Sequence, residues 1–177
     1  MAKNRTMRIA VVGPESCGKS TLAQKLAHHF GGRYVPEMAR AYFEKHPHIN
    51  YSIEDVIAIA QLQQEVEDSM AIDSEIVVCD TSALVSRIWA EVRFGYCPDQ
   101  ISALDSQSNY SFTLLCSPDL PWEADPLRES PHNRDKLFEI YAHYLHSKKQ
   151  AHAIIAGVGA GRFENALLAL RCQGIAV

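Results

Sequence analysis

Residues 10 to 26 read AVVGPESCGKSTLAQKL. An apolar β-branched run ends at Gly13, four residues lead to Gly18, and Lys19 and Ser20 follow directly; after them apolar residues recur at helical spacing. Few backbone geometries satisfy that order. Glycines let the chain curl where a side chain would obstruct it, so the N–H groups of residues 13–20 can point inward. The helix that follows adds about half a positive charge at its N-terminus. The segment fits G-x-x-x-x-G-K-[ST], the pattern of a phosphate-binding loop between a buried strand and a helix. Lys19 then reaches the β- and γ-phosphates of a nucleoside triphosphate, and the Ser20 hydroxyl is placed to ligate Mg²⁺. A chance glycine-rich βα turn is the competing reading. Four fixed residue choices in eight positions, with the required strand and helix on either side, argue against it. Cys17 fills a free position of the pattern and carries no chemistry on this reading.

The rest of the chain alternates in the same way. Short apolar runs, MRIAVV, RYV, EIVVC, FTLLC and AIIAGV, are separated by longer stretches of helical period. Residues 53–70 set Ile53, Val56, Ile57, Ala60 and Val66 near one face, a second helix starts near Ser82, and a third spans about 133–147. Strand and helix in alternation predict an α/β fold: a parallel β-sheet of about five strands with helices on both faces. With 177 residues the expectation is a single domain over 1–177. The proline-rich stretch 117–134 is the one long irregular segment, and a loop of that kind in a compact domain is usually functional.

Composition narrows the partners. The net charge of -4 offers no broad basic face to nucleic acid or to an anionic membrane, and no apolar run approaches the ~18 residues a spanning helix needs. The five cysteines are scattered without a CxxC, as expected of reduced thiols in a cytoplasmic protein. The eight histidines lack metal-ligand spacing.

Four further features carry candidate chemistry. EIVVCD ends a strand in Asp80, placed either to hold Mg²⁺ or substrate, or simply to cap the next helix. In RYVPEMAR, Pro36 stiffens the chain before Glu37 at the C-terminal edge of the sheet, where ligands of open α/β sheets bind. Arg40 lies one helical turn on and can pair with Glu37 or with a substrate phosphate. The irregular segment bears Arg128 and Arg134, as suits a lid closing over a phosphoryl group. Trp89 offers a platform for a flat ring, although its helical spacing also suits the core; Gln61 and Gln64 are candidates for hydrogen bonds to a carboxamide or a base edge, although as polar helix residues they also suit solvent.

Taken together, GPESCGKSTL, YVPEMARAYF, CDT, PDLPWEADPLRE with Arg134, and GRFENA resemble the ribosylnicotinamide kinase domain of the bacterial NadR proteins over nearly the whole chain and in the same order. The resemblance implies a P-loop NTPase fold of the nucleoside and nucleotide kinase type. It implies ATP-dependent phosphorylation of the 5′-hydroxyl of nicotinamide riboside, with a small nucleoside as partner and ATP and Mg²⁺ as cofactors. Carried over, Gly13, Glu15, Ser16, Cys17, Gly18, Lys19, Ser20 and Thr21 bind ATP. Glu37 stands near the acceptor hydroxyl, Asp80 serves Mg²⁺ or the ribose, Arg128 and Arg134 form the lid, and Gly157 and Arg162 lie near the adenine. The DNA-binding and adenylyltransferase regions of full-length family members have no counterpart ahead of Gly13, so neither activity is expected here. A P-loop ATPase or nucleotide-sensing module acting on another nucleoside or on a protein is the alternative.

Overall fold

The computed structural model describes residues 6–47 and 50–175. Five strands form the sheet: β1 (Met7–Val12), β2 (Arg33–Val35), β3 (Ile76–Asp80), β4 (Phe112–Cys116) and β5 (His152–Ile155). All pair in parallel, in the order β2-β3-β1-β4-β5. β1 sits at the centre, and it is buried from Arg8 to Val12 because helices cover both faces of the sheet. The helices are α1 (Lys19–His29), α2 (Met38–Lys45), α3 (Ile53–Ala71), α4 (Ala83–Phe94), α5 (Asp99–Gln107), α6 (Arg134–Ser147) and α7 (Gly159–Cys172). On one face Ile9, Val11, Val78 and Leu114 pack on Leu22, Leu26, Ala166 and Leu170 of α1 and α7. On the other, Ala10, Val12 and Leu115 pack on Leu84, Ile88, Tyr141 and Leu145 of α4 and α6.

The five apolar runs of the sequence are the five strands, and β1, β2 and β4 coincide with MRIAVV, RYV and FTLLC. Two readings shift. Residues 99–107, too polar to announce a helix, form α5, whose Ile101 is fully buried among Val56, Ala60 and Ala90. The buried side of α3 is also not wholly apolar: after Val56, Ile59 and Ala60 it continues through Gln63 and Glu67.

Those two polar residues have a structural task. Tyr110 donates its hydroxyl to Glu67 Oε2 at 2.8 Å, Gln63 Nε2 donates to Glu67 Oε1 at 3.1 Å, and Gln63 Oε1 accepts the backbone N–H of Met38 at 3.0 Å. Met38 is the first residue of α2, so one of the orphan amides of that helix finds its partner on α3. Burial raises the Glu67 pKa, and the hydrogen bonds from Tyr110 and Gln63 offset part of the rise. The chain of bonds pins the start of α2, and with it Glu37, the residue immediately before.

Candidate active site

The C-terminal ends of β1, β2 and β3 open onto one cavity of about 1140 Å³. Residues 13–21, Glu37, Arg40, Asp80, Trp89 and Arg128 all line it. Residues far apart in sequence meet there because every strand of a parallel sheet ends on the same edge.

The phosphate loop turns on two glycines for different reasons. Gly13 has φ +140, and a Cβ on it would stand 2.7 Å from the carbonyl oxygen of Cys116 on β4. Gly18 has φ +77 and forms the left-handed N-cap of α1. Ser16 also takes a positive φ of 55 inside the loop. Lys19 Nζ donates to the Pro14 carbonyl at 2.8 Å, which folds the side chain back over the loop. Burial works against its charge, but the negative groups around it, Glu37 and Asp80 among them, outweigh that and raise its pKa, so the ammonium stays charged. The Cys17 thiol is fully buried and donates to the Pro14 carbonyl at 2.9 Å, so its side chain packs the loop from within.

Two acids face the loop. Asp80 ends β3 and is 1% exposed. Its Oδ2 accepts the Tyr34 hydroxyl at 3.1 Å; its Oδ1 is buried with no hydrogen-bond partner among the described residues. Burial and the adjacent carboxylate push the Tyr34 phenol up to about 12, so it remains a donor. Thr81, the next residue, holds φ 94, a strained conformation for a β-branched side chain. Ser82 N-caps α4, and Asp80 makes no cap, so the capping alternative fails for it. Glu37 sits as N-cap of α2 without a capping hydrogen bond of its own. Burial raises its pKa above the ordinary glutamate range; Lys19 and Arg40 pull down, Asp80 and Glu15 push up.

An unsatisfied buried carboxylate oxygen beside a phosphate loop is a fitting oxygen donor for Mg²⁺, which takes one or two protein oxygens together with substrate phosphates. Ser20, exposed at the start of α1, lines the same cavity and carries the other candidate oxygen. Among the described residues no group of three or more His, Cys, Asp or Glu could hold a metal ion.

Part of the cavity wall is aromatic. Phe43, Tyr51 and Trp89 line it, with ring centroids 5.1 Å apart for Tyr51 and Trp89 and 5.5 Å apart for Phe43 and Tyr51. Trp89 Nε1–H donates to the Tyr51 hydroxyl oxygen at 2.8 Å. Of this wall, the sequence pattern points only to Trp89. The signal for Phe43 was available: Ala39, Arg40 and Phe43 stand at i, i+1 and i+4 of α2, one face of the helix that Glu37 begins. Tyr51 carried no comparable mark.

The structure corrects three placements. Gln61 is exposed on α3 and absent from the cavity wall; Gln63, two residues on, points inward. Arg162 is 4% exposed and also outside the cavity. It donates to the carbonyls of Cys17, Ile155, Gly157 and Ser117 and pairs with Asp119, tying the phosphate loop to the ends of β4 and β5. Arg134 does not line the cavity either. Its guanidinium donates to Ser16 O and Leu120 O at 3.2 and 2.8 Å and lies over the Trp122 ring. Arg128 does reach the cavity, and Arg40 bridges α2 to the irregular segment through Asp125 at 2.9 Å.

Fold and site together define a P-loop α/β protein built like the nucleoside and nucleotide kinases. The family model described as "AAA domain" matches residues 8–160, and the chain belongs to that family. It is 28% identical over 125 residues to the trifunctional NAD biosynthesis/regulator protein NadR of Salmonella typhimurium and, to the same extent, to that of Escherichia coli. The match takes in 68% of this chain and 30% of either relative, so the chain corresponds to under a third of their length. Among solved structures, NadR in complex with NAD and AMP-PNP superimposes with TM-score 0.79 at 20% identity, covering 98% of this chain and 51% of the other. NadR in complex with NR gives 0.76 at 19%, covering 98% and 52%. Deoxyadenosine kinase from M. mycoides gives 0.68 at 13%, covering 94% of this chain and all of its own. Among the described residues no helix is long and apolar enough to cross a membrane.

Proposed function

We propose that this chain is a single-domain, ATP-dependent nucleoside kinase that phosphorylates the 5′-hydroxyl of nicotinamide riboside to give nicotinamide mononucleotide. The observation that carries the reading is the continuity of one cavity, whose lining takes in the phosphate loop, the acids Glu37 and Asp80, and the wall of Phe43, Tyr51 and Trp89. A phosphoryl donor and a flat acceptor bound in that cavity meet at the acids. The similarity to NadR, known in complexes with NR and with AMP-PNP, supports both ligands.

In this mechanism the loop amides, the α1 N-terminus and Lys19 hold the donor phosphates and stabilise the charge that grows on them. Ser20 and Asp80 would hold Mg²⁺, which when bound neutralises phosphate oxygens. Glu37 accepts a hydrogen bond from the ribose hydroxyl, orients it and takes its proton as the new P–O bond forms. Its raised pKa makes it a stronger base than a solvated glutamate, while the charges of Lys19 and Arg40 favour its ionised form. Arg128 reaches in from the lid, 117–134, toward the transferred group. The aromatic wall stacks the nicotinamide ring, whose cationic charge suits aromatic faces.

The test is ATP turnover with a panel of nucleosides. Nicotinamide riboside should give the highest kcat/KM and a stoichiometric monophosphate, and Lys19→Ala should abolish it without unfolding the chain. ATP hydrolysis indifferent to every nucleoside would leave an ATPase module instead.

A further inference from the structure

The irregular segment is fastened to the phosphate loop by two residues that the G-x-x-x-x-G-K-[ST] pattern leaves free. The Glu15 carboxylate accepts the backbone N–H of Glu129 with both oxygens at 3.1 Å, and that of Ser130 at 2.8 Å. Ser16 Oγ accepts the N–H of Glu123 at 2.9 Å. An anion in a loop that gathers phosphate is repelled by what the loop binds, so Glu15 is a costly choice as a phosphate contact. Its carboxylate is instead spent on lid amides, where charge-assisted bonds are stronger than neutral ones. The exposed Arg40–Asp125 pair contributes little beside it.

From Glu129 the connection continues to the aromatic wall of the cavity. The Glu129 carboxylate accepts the Tyr51 hydroxyl at 2.9 Å, and the Tyr51 oxygen accepts Trp89 Nε1–H at 2.8 Å. Arg93 lies over the Tyr51 ring, 5.6 Å from its centroid. An unbroken series therefore runs from Glu15 through the 129–130 backbone and the Glu129 side chain to Tyr51 and Trp89. The series has the phosphate loop at one end and the aromatic wall at the other. The series thus links the phosphate loop, the lid, the chain just ahead of α3 and the middle of α4.

We propose that Glu15 is a positioning residue that couples the two ends. By fixing residues 129–130 it sets the Glu129 carboxylate where it holds Tyr51, so the acceptor wall is complete only while the lid is docked on the phosphate loop. Donor and acceptor then bind synergistically, and acceptor affinity depends on a phosphate-loop side chain. This rests on the kinase reading above.

The experiment compares wild type, Glu15→Ala, Glu15→Gln and Glu129→Ala. Steady-state KM values for ATP and nicotinamide riboside are measured with kcat. Titration calorimetry with nicotinamide riboside, with and without AMP-PNP and Mg²⁺, measures the synergy. Amide hydrogen exchange over 123–130 is followed in the ligand-free chain. Glu15→Ala should raise the acceptor KM about tenfold, the loss of one charge-assisted interaction. It should move the ATP KM by less than about threefold, abolish the synergy and speed exchange at 129–130. Glu15→Gln, which keeps an acceptor oxygen, should recover part of each effect, and Glu129→Ala should reproduce the acceptor KM change. Wild-type exchange at 129–130 in Glu15→Ala overturns the proposal, as does an ATP KM that rises as much as the acceptor KM. Should wild type phosphorylate no nucleoside, the kinase reading falls separately. The exchange measurement then decides the tie on its own, faster exchange upholding it and unchanged exchange refuting it.

Discussion

Replacing Asp80 by Asn separates a functional acid from a structural one. The carboxylate is buried, one oxygen is bonded to Tyr34 and the other has no partner. A buried unsatisfied acceptor costs about 1–3 kcal/mol, more when charged, and Glu37 nearby adds a like charge. Lys19 returns part of that cost. Asn keeps the shape and an oxygen for the Tyr34 hydroxyl, and leaves a neutral amide group where the orphaned anion was. The ligand-free variant should therefore be as stable as the parent or more stable by about 1 kcal/mol, which for a chain of this size is a Tm rise of about 2–4 °C. Turnover should fall by about 10²-fold or more and demand more Mg²⁺, because the donor that completes the metal site is weakened. Thermal melts without ligand and with Mg²⁺ and AMP-PNP, set beside initial rates over a Mg²⁺ series, test both halves. A variant destabilised by 2 kcal/mol or more with wild-type turnover would mean that Asp80 is a structural acid and that the reasoning from its orphaned oxygen is wrong.

Glu37→Gln should cut turnover by roughly 10²-fold with little change in ATP KM. In the parent, burial raises the Glu37 pKa, so the base is protonated up to a higher pH than a solvated glutamate and activity falls as pH drops through that raised value; the acidic limb of kcat/KM should lie above the ordinary glutamate range and vanish in the variant. Arg128→Ala should lower kcat more than it weakens acceptor binding. Arg134→Ala, which removes two carbonyl ties at the base of the lid, should instead raise both KM values and lower Tm; equal kinetic profiles for the two would contradict the different settings of their guanidinium groups. Gly13→Ala should destabilise the chain by about 1–3 kcal/mol from backbone strain alone, with the 2.7 Å approach to the Cys116 carbonyl adding to it, and a melt at the wild-type temperature would refute that.

The sequence by itself determined the parts of this protein whose signal is local. The phosphate loop, the five strands and the helices that begin after Ser82 and Asn133 follow from hydrophobic periodicity and glycine placement, each read within about a dozen residues. It also placed Glu37 and Asp80 at strand ends, and a parallel sheet has one edge where such ends collect. What it could not determine was direction. Arg162 and Arg128 are alike as letters. One is spent on four carbonyls and Asp119 behind the loop, the other reaches the cavity, and only the crossing of β4, β5 and the lid decides which. Gln61 and Gln63 differ by two positions on α3, and the packing of α2 gives the second its bond to the Met38 amide. Tyr51 and Glu129 are 78 residues apart, so their bond, and the wall it completes, exists only once the lid lies against the start of α3. Local pattern fixes where elements begin and end; which way a long polar side chain turns is set by partners that only tertiary folding brings within 3 Å.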